Sequence, residues 1–104
     1  MPRWLSAPLP ETVPYPFGER KMTRDEFKIT RDQLGLTQAD LGARMGVSRN
    51  AIIDLEAGKT TLRPMHVLAI ERVSLAVAIE RRDPMLAVPS VRREALALVQ
   101  LITG

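Results

Sequence analysis

The 104-residue sequence has no cysteine, one histidine and only four aromatic residues. Without cysteine, neither a disulfide framework nor a thiolate metal site can form, so we expect no metal centre. No apolar run approaches the roughly 18 residues that span a bilayer, and the start of the chain lacks the apolar centre of a secretory signal. These absences predict a cytoplasmic protein without membrane contact or cofactor.

Catalytic residue patterns are also missing. His66 has no carboxylate cluster near it in the sequence, and none of the serines follows a glycine elbow. No glycine-rich phosphate loop is present. We therefore expect that the protein is not an enzyme.

Charge does not identify a partner by itself. The net charge is +3, but residues 22–63 hold seven basic and six acidic side chains. Such a mixture is typical of a solvated surface, so a nucleic-acid function has to be argued from geometry.

The chain divides into three parts. Residues 1–21 hold five of the eight prolines and three of the four aromatic residues, Trp4, Tyr15 and Phe17. This proline spacing excludes a helix or a central strand and predicts an extended arm, which is either disordered or docked on another surface. We expect a helical domain over residues 22–81 and a C-terminal helical segment over residues 82–104.

Helical periodicity predicts an all-α fold of five helices. The first is expected over about 24–34, the second and third over 38–57, the fourth over about 64–81, and the last from Ser90 to about 102. Apolar residues on more than one face of the fourth helix indicate that it is covered on two sides.

Residues 38–57, QADLGARMGVSRNAIIDLEA, predict two short helices around a glycine turn. Thr37 and Asp40 have capping-box spacing, Gly46 suits a left-handed stop, and Ser48 suits the next N-cap. An apolar wedge should fix the angle between the helices, formed by Leu41, Met45, Val47, Ile52 and Leu55. This is the geometry of a helix-turn-helix that reads double-stranded DNA.

Residues 34–60, LGLTQADLGARMGVSRNAIIDLEAGKT, resemble the Xre-type family of phage repressor and Cro-like regulators. A looser resemblance covers residues 23–79. It implies a five-helix, lambda-repressor-like domain with the proline-rich arm in front. The chain departs from the family at Gly42, where alanine is usual, and at Ile53, where a polar or charged residue is more frequent.

In a helix-turn-helix the second of the two helices is the recognition helix, which here is the third helix of the chain. It enters the major groove by its N-terminal end, so its first two turns should face the bases. The base-reading candidates are Arg49, Asn50, Ile53 and Asp54. Arginine can bond guanine and asparagine can bond adenine through paired hydrogen bonds. Ile53 either touches a thymine methyl or packs on the fourth helix. Asp54 either accepts from cytosine or orients Arg49 or Arg44, and we favour the second role.

Phosphate contacts are expected around the rim of the same surface. The candidates are Thr37, Gln38, Ser48, Lys59, Thr60, Thr61 and Arg63; the resemblance places such contacts at Gln38 and Lys59. The resemblance also implies a salt bridge between Arg31 of the first helix and Glu56 of the third. Each of these residues lies on an otherwise inward-facing stripe of its helix.

A single recognition helix reads too few base pairs to find one operator, so a homodimer on a palindrome is expected. Surplus apolar residues of the last two helices are the interface candidates: Val73, Val77, Ile79, Leu96, Leu98, Val99, Leu101 and Ile102. The alternative is that the last helix folds back onto its own core, and both can hold together.

Two functions from different classes fit these features. The first is a homodimeric repressor that occupies an operator. The second is an antitoxin-like interaction module whose arm binds a partner protein while its helix-turn-helix regulates its own gene. A controller of a neighbouring restriction or phage-defence gene differs from the first only in its target.

Overall fold

Five α-helices and one 3-10 turn form residues 21–104, the part of the chain that this computed structural model describes. The bounds are α1 Arg24–Gln33, α2 Gln38–Met45, α3 Arg49–Ala57, α4 Pro64–Arg81, the 3-10 turn Pro84–Leu86, and α5 Pro89–Thr103. The expected all-α, five-helix fold is confirmed. The prediction for the proline-rich arm, with Trp4, Tyr15 and Phe17, lies outside the described residues.

Local caps explain where α2 and α3 begin. The Thr37 hydroxyl accepts from the Asp40 amide at 3.0 Å, and the Asp40 carboxylate accepts from the Thr37 amide at 3.2 Å. This backbone hydrogen bond from Thr37 holds the pKa of Asp40 below its ordinary value. The Ser48 hydroxyl accepts from the Ala51 amide at 3.0 Å. In each helix, a first-turn amide that has no partner within the helix is therefore hydrogen-bonded to the cap residue.

The core lies between α4 and the three helices that precede it. Its largest fully buried apolar side chains are Phe27, Leu34, Leu41, Ile52, Ile70 and Val77. A second, smaller cluster joins Ala78 of α4 to Ala87 and Val91. Helix α4 is therefore covered on two sides, as its residue pattern indicated. No helix within residues 21–104 has both the length and the apolar character needed to cross a bilayer.

Three expectations about packing are wrong. Val47 is 38% exposed and is not part of the buried cluster, so the wedge consists of its four other members. Val73 and Val77 are buried in the core of their own chain, so neither is available to a second copy.

Ser90 does not cap α5. Its hydroxyl instead donates to the buried Glu71 carboxylate at 2.5 Å, and α5 begins with Pro89 at its first turn. The Ser74 hydroxyl accepts from the Val88 amide at 3.2 Å. These polar contacts tie the start of α5 to α4, which the sequence spacing alone does not reveal.

The turn between α2 and α3 depends on the left-handed backbone of Gly46, whose φ is +77°. A Cβ built at this position meets no atom within 4 Å. Gly46→Ala should therefore lower the free energy of unfolding by about 1 kcal/mol through backbone strain alone, since alanine resists this conformation. Urea unfolding measures the loss. Gly46→Asn is the matched control and should lose less, because asparagine tolerates the left-handed region; equal stability of all three proteins would contradict the assignment.

Candidate DNA interface

Helix α3 presents two distinct faces. Ile52 and Leu55 are buried against the core, which leaves the opposite face of the helix toward solvent. Arg49 and Asn50 lie in the first turn on that open side, and both are exposed. Neither side chain bonds to any other residue in the range 21–104. Their donors are therefore available at the N-terminal end of α3, which is the end that helix-turn-helix proteins in general direct at base edges.

Ile53 and Asp54 are less accessible than the two residues before them. Both are partly buried, so Ile53 combines packing with some open surface. The expectation that Asp54 orients an arginine is wrong, because its carboxylate has no such partner among the described residues. Arg44 instead bonds the Glu80 carboxylate at 3.0 and 2.7 Å, and this contact holds the pKa of Glu80 below its ordinary value.

The ion pair expected between Arg31 and Glu56 is present and joins α1 to the last turn of α3. Arg31 Nε and Nη2 donate to the two Glu56 oxygens at 2.6 and 3.0 Å, and Nη1 donates to the Leu36 carbonyl at 2.9 Å. The side chains are 10% and 5% exposed. Burial raises the pKa of Glu56, but the hydrogen bonds from Arg31 and Gln38 outweigh it and leave that pKa below its ordinary value.

Gln38 contacts the buried ion pair. Its amide nitrogen donates to Glu56 Oε1 at 3.1 Å, which uses one of its two N–H donors, so the phosphate contact of Gln38 stays a prediction. A phosphate could still approach the unsatisfied backbone amides of the first turn of α2. Thr37 and Ser48 use their oxygens as acceptors for helix caps, which leaves each hydroxyl proton free to donate.

The loop after α3 carries the remaining phosphate candidates. Lys59, Thr60, Thr61 and Arg63 are all exposed. The amides of Lys59 and Thr60 donate to the Asp54 carbonyl at 2.9 and 3.2 Å, so the start of this loop is fixed to the end of the helix. His66 is not a site residue here: its Nδ1 accepts from the Arg63 amide at 2.9 Å and caps α4.

Arg24 was not predicted to contribute, yet it holds the far end of α3. Its Nη1 donates to the Ala57 carbonyl at 3.1 Å, which places a positive charge at the C-terminus of the helix. No spacing in the sequence signals this contact, because the two residues lie on different helices. Together with the Arg31 and Glu56 pair, it anchors α3 to α1.

The family comparison covers this same region. A family model described as helix-turn-helix matches residues 27–73, from within α1 to the middle of α4. This model is that of the Xre and lambda-Cro-like helix-turn-helix regulators, and the matched segment contains the whole of α2 and α3. The match supports a DNA-binding helix-turn-helix module in this part of the chain. No curated protein and no solved structure matched the chain.

Removing Glu56 should strongly destabilise the domain. Glu56→Ala leaves the mostly buried Arg31 guanidinium with only the exposed Asp32 carboxylate, 3.4 Å away, as counter-charge. We expect a loss of about 3 kcal/mol or more in the free energy of unfolding. Glu80→Ala is the matched control, since it breaks an exposed pair with Arg44 and should lower the free energy of unfolding far less. Urea denaturation compares the two, and similar losses would contradict a structural role for the buried pair.

The same carboxylate predicts a direction of pH dependence. Because the pKa of Glu56 is lower in the folded state, the unfolded chain takes up its proton first as the pH falls. Its contribution is complete above the ordinary glutamate pKa and is lost as the pH falls through the lowered native value. Glu56→Gln should therefore show a shallower loss of stability in acid than the unmodified protein, measured by urea midpoints from neutral to acidic pH. Parallel curves would show that Glu56 is not coupled to folding.

Proposed function

We propose that the protein is a sequence-specific transcriptional repressor that binds a palindromic operator as a homodimer, with the start of α3 in the major groove. The observation that carries this proposal is the open first turn of α3, where Arg49 and Asn50 are exposed and unbonded among the described residues. Arginine reads guanine O6 and N7, and asparagine reads adenine N6 and N7. Ile53, partly exposed one turn on, suits a thymine methyl.

Phosphate contacts would set the position of α3 on the duplex. Lys59 supplies an exposed positive charge from a loop whose backbone is bonded to the end of α3, and Thr60, Thr61 and Arg63 extend this rim. The amides of the first turn of α2, with the Thr37 hydroxyl, suit a phosphate on the other side. Such contacts give affinity without base preference, so we assign specificity to α3 alone.

Two copies are needed because one recognition helix covers only a few base pairs. Helix α5 supplies the surface for the second copy, with five large apolar side chains that are each more than half exposed: Leu96, Leu98, Val99, Leu101 and Ile102. Ile79 of α4 is exposed as well. Occupation of a promoter by such a dimer would block transcription by steric exclusion of the polymerase. The concentration of the protein would then set the extent of repression.

Alanine substitutions at two cationic residues should distinguish contacts to DNA bases from contacts to DNA phosphates. Arg49→Ala should cost about 1–3 kcal/mol on the preferred operator and relax the choice of base at one position of each half-site. Lys59→Ala should weaken all sequences alike and reduce the slope of log affinity against log salt by about one per contact. Fluorescence anisotropy over a salt series measures both effects.

The operator for this test comes from selection of bound fragments out of a random duplex library. Enriched sequences should contain inverted half-sites spaced by about one helical turn. Arg72→Ala is the control, since it removes an exposed cation of α4 that we assign to neither role. Loss of base preference in Lys59→Ala, or none in Arg49→Ala, would overturn the division of roles; failure to enrich any duplex would overturn the proposed function.

A further inference from the structure

The end of α5 extends beyond the body of its own chain. Val91 near the start of the helix is 7% exposed, whereas Leu98 and Ile102, on the same face two and three turns later, are each 56% exposed. Every residue from 96 to 104 is exposed. This terminal segment, LALVQLITG, contains no charged side chain. We call residues 96–103 the α5 tip.

An unfilled apolar groove lies beside the base of the same helix. Its volume is about 430 Å³, and it is enclosed by the second half of α4, the 3-10 turn and the first half of α5. Small or aliphatic side chains form its floor, and Arg82, Asp83 and Arg92 supply charge at its edge. The floor includes Leu75, Ala78, Ala87 and Ala95.

The tip and the groove complement each other in size and polarity. A void of roughly 150 Å³ takes one small apolar group, so this groove has room for about two or three aliphatic side chains. An uncharged helix end entering an apolar floor inside a charged edge gives the apolar centre and polar rim of a stable interface. Exposed apolar side chains of this number are otherwise a liability in a single chain.

The two features cannot meet within one molecule. Residues 89–103 form one continuous helix, in which Ala95 lines the groove and the tip continues away from it over roughly 12 Å at 1.5 Å per residue. The tip could reach the groove of its own chain only if α5 broke in the middle. A second copy has no such constraint, and a two-fold axis lets each copy fill the groove of the other.

We propose that two copies of this chain exchange their α5 tips, each inserting Leu98 and Ile102 into the groove between α4, the 3-10 turn and α5 of the other. This inference rests on the homodimer in the proposed function and specifies how the copies meet. It differs from simple pairing of one tip with the other, because the groove floor contributes half of each contact.

Cysteine cross-linking tests the exchange directly, since the chain has no cysteine of its own. Ile79→Cys marks the edge of the groove and Ile102→Cys marks the tip. When the two variants are mixed under mild oxidation, a 79–102 link between chains is expected. Lys28→Cys, exposed on α1, replaces Ile79→Cys in the control and should give no link to residue 102. Links only between two copies of residue 102, or none at all, would overturn the exchange.

Sedimentation of two further variants measures separately what the α5 tip and the groove contribute to dimerisation. Leu98→Glu removes an apolar contact of the tip, and Ala95→Phe fills the groove from within its own chain. Each should weaken dimerisation at least about tenfold, while thermal unfolding at a concentration where both are monomeric checks that α1–α4 stay folded. If Ala95→Phe associates as tightly as the unmodified chain, the tips pair without the groove and the proposal fails.

DNA binding is read separately from these tests. A 79–102 link in a protein that enriches no duplex would overturn the proposed function but support the exchange of α5 tips. Binding to a palindrome by a protein without that link would overturn the exchange but support the proposed function.

Discussion

The buried ion pair between Arg31 and Glu56 is the contact on which the arrangement of the first three helices depends. It connects α1 to the last turn of α3, and Gln38 at the start of α2 bonds the same carboxylate. Helices α1, α2 and α3 therefore meet at one charged centre. Buried pairs of this kind add little net stability compared with apolar packing, but they penalise every arrangement that separates the charges. Helix α3 is consequently held in one orientation, with its first turn exposed.

Orientation of α3 is reinforced at both of its ends. Ser48 caps the start with its hydroxyl, and Arg24 donates to the carbonyl of Ala57 at the finish. Between them Ile52 and Leu55 are buried, so the helix can neither rotate nor slide without losing apolar contacts. A rigid scaffold of this kind lowers the entropic cost of ordering exposed side chains when a ligand binds.

Local signals in the sequence predicted most of the fold, whereas contacts between distant residues were harder to foresee. The caps at Thr37 and Ser48 and the left-handed Gly46 each depend on neighbours within four positions, so their patterns are readable. The choice of Glu80 as the partner of Arg44, and of Glu71 as the partner of Ser90, depends on how helices pack after folding. The Arg31 and Glu56 pair was expected from the family resemblance together with the inward-facing positions of both residues. The base-reading residues stay predictions, because base contacts form between the protein and DNA and not within the chain.

The most direct test is amide and side-chain chemical-shift mapping of the full chain during titration with its selected operator. If α3 reads the major groove, the largest changes fall on Arg49 and Asn50, with smaller changes along the Lys59 loop, while the buried Ile52 moves little. Changes concentrated on α1 or α5, with the first turn of α3 unaltered at saturation, would contradict the assignment of α3 as the reading element.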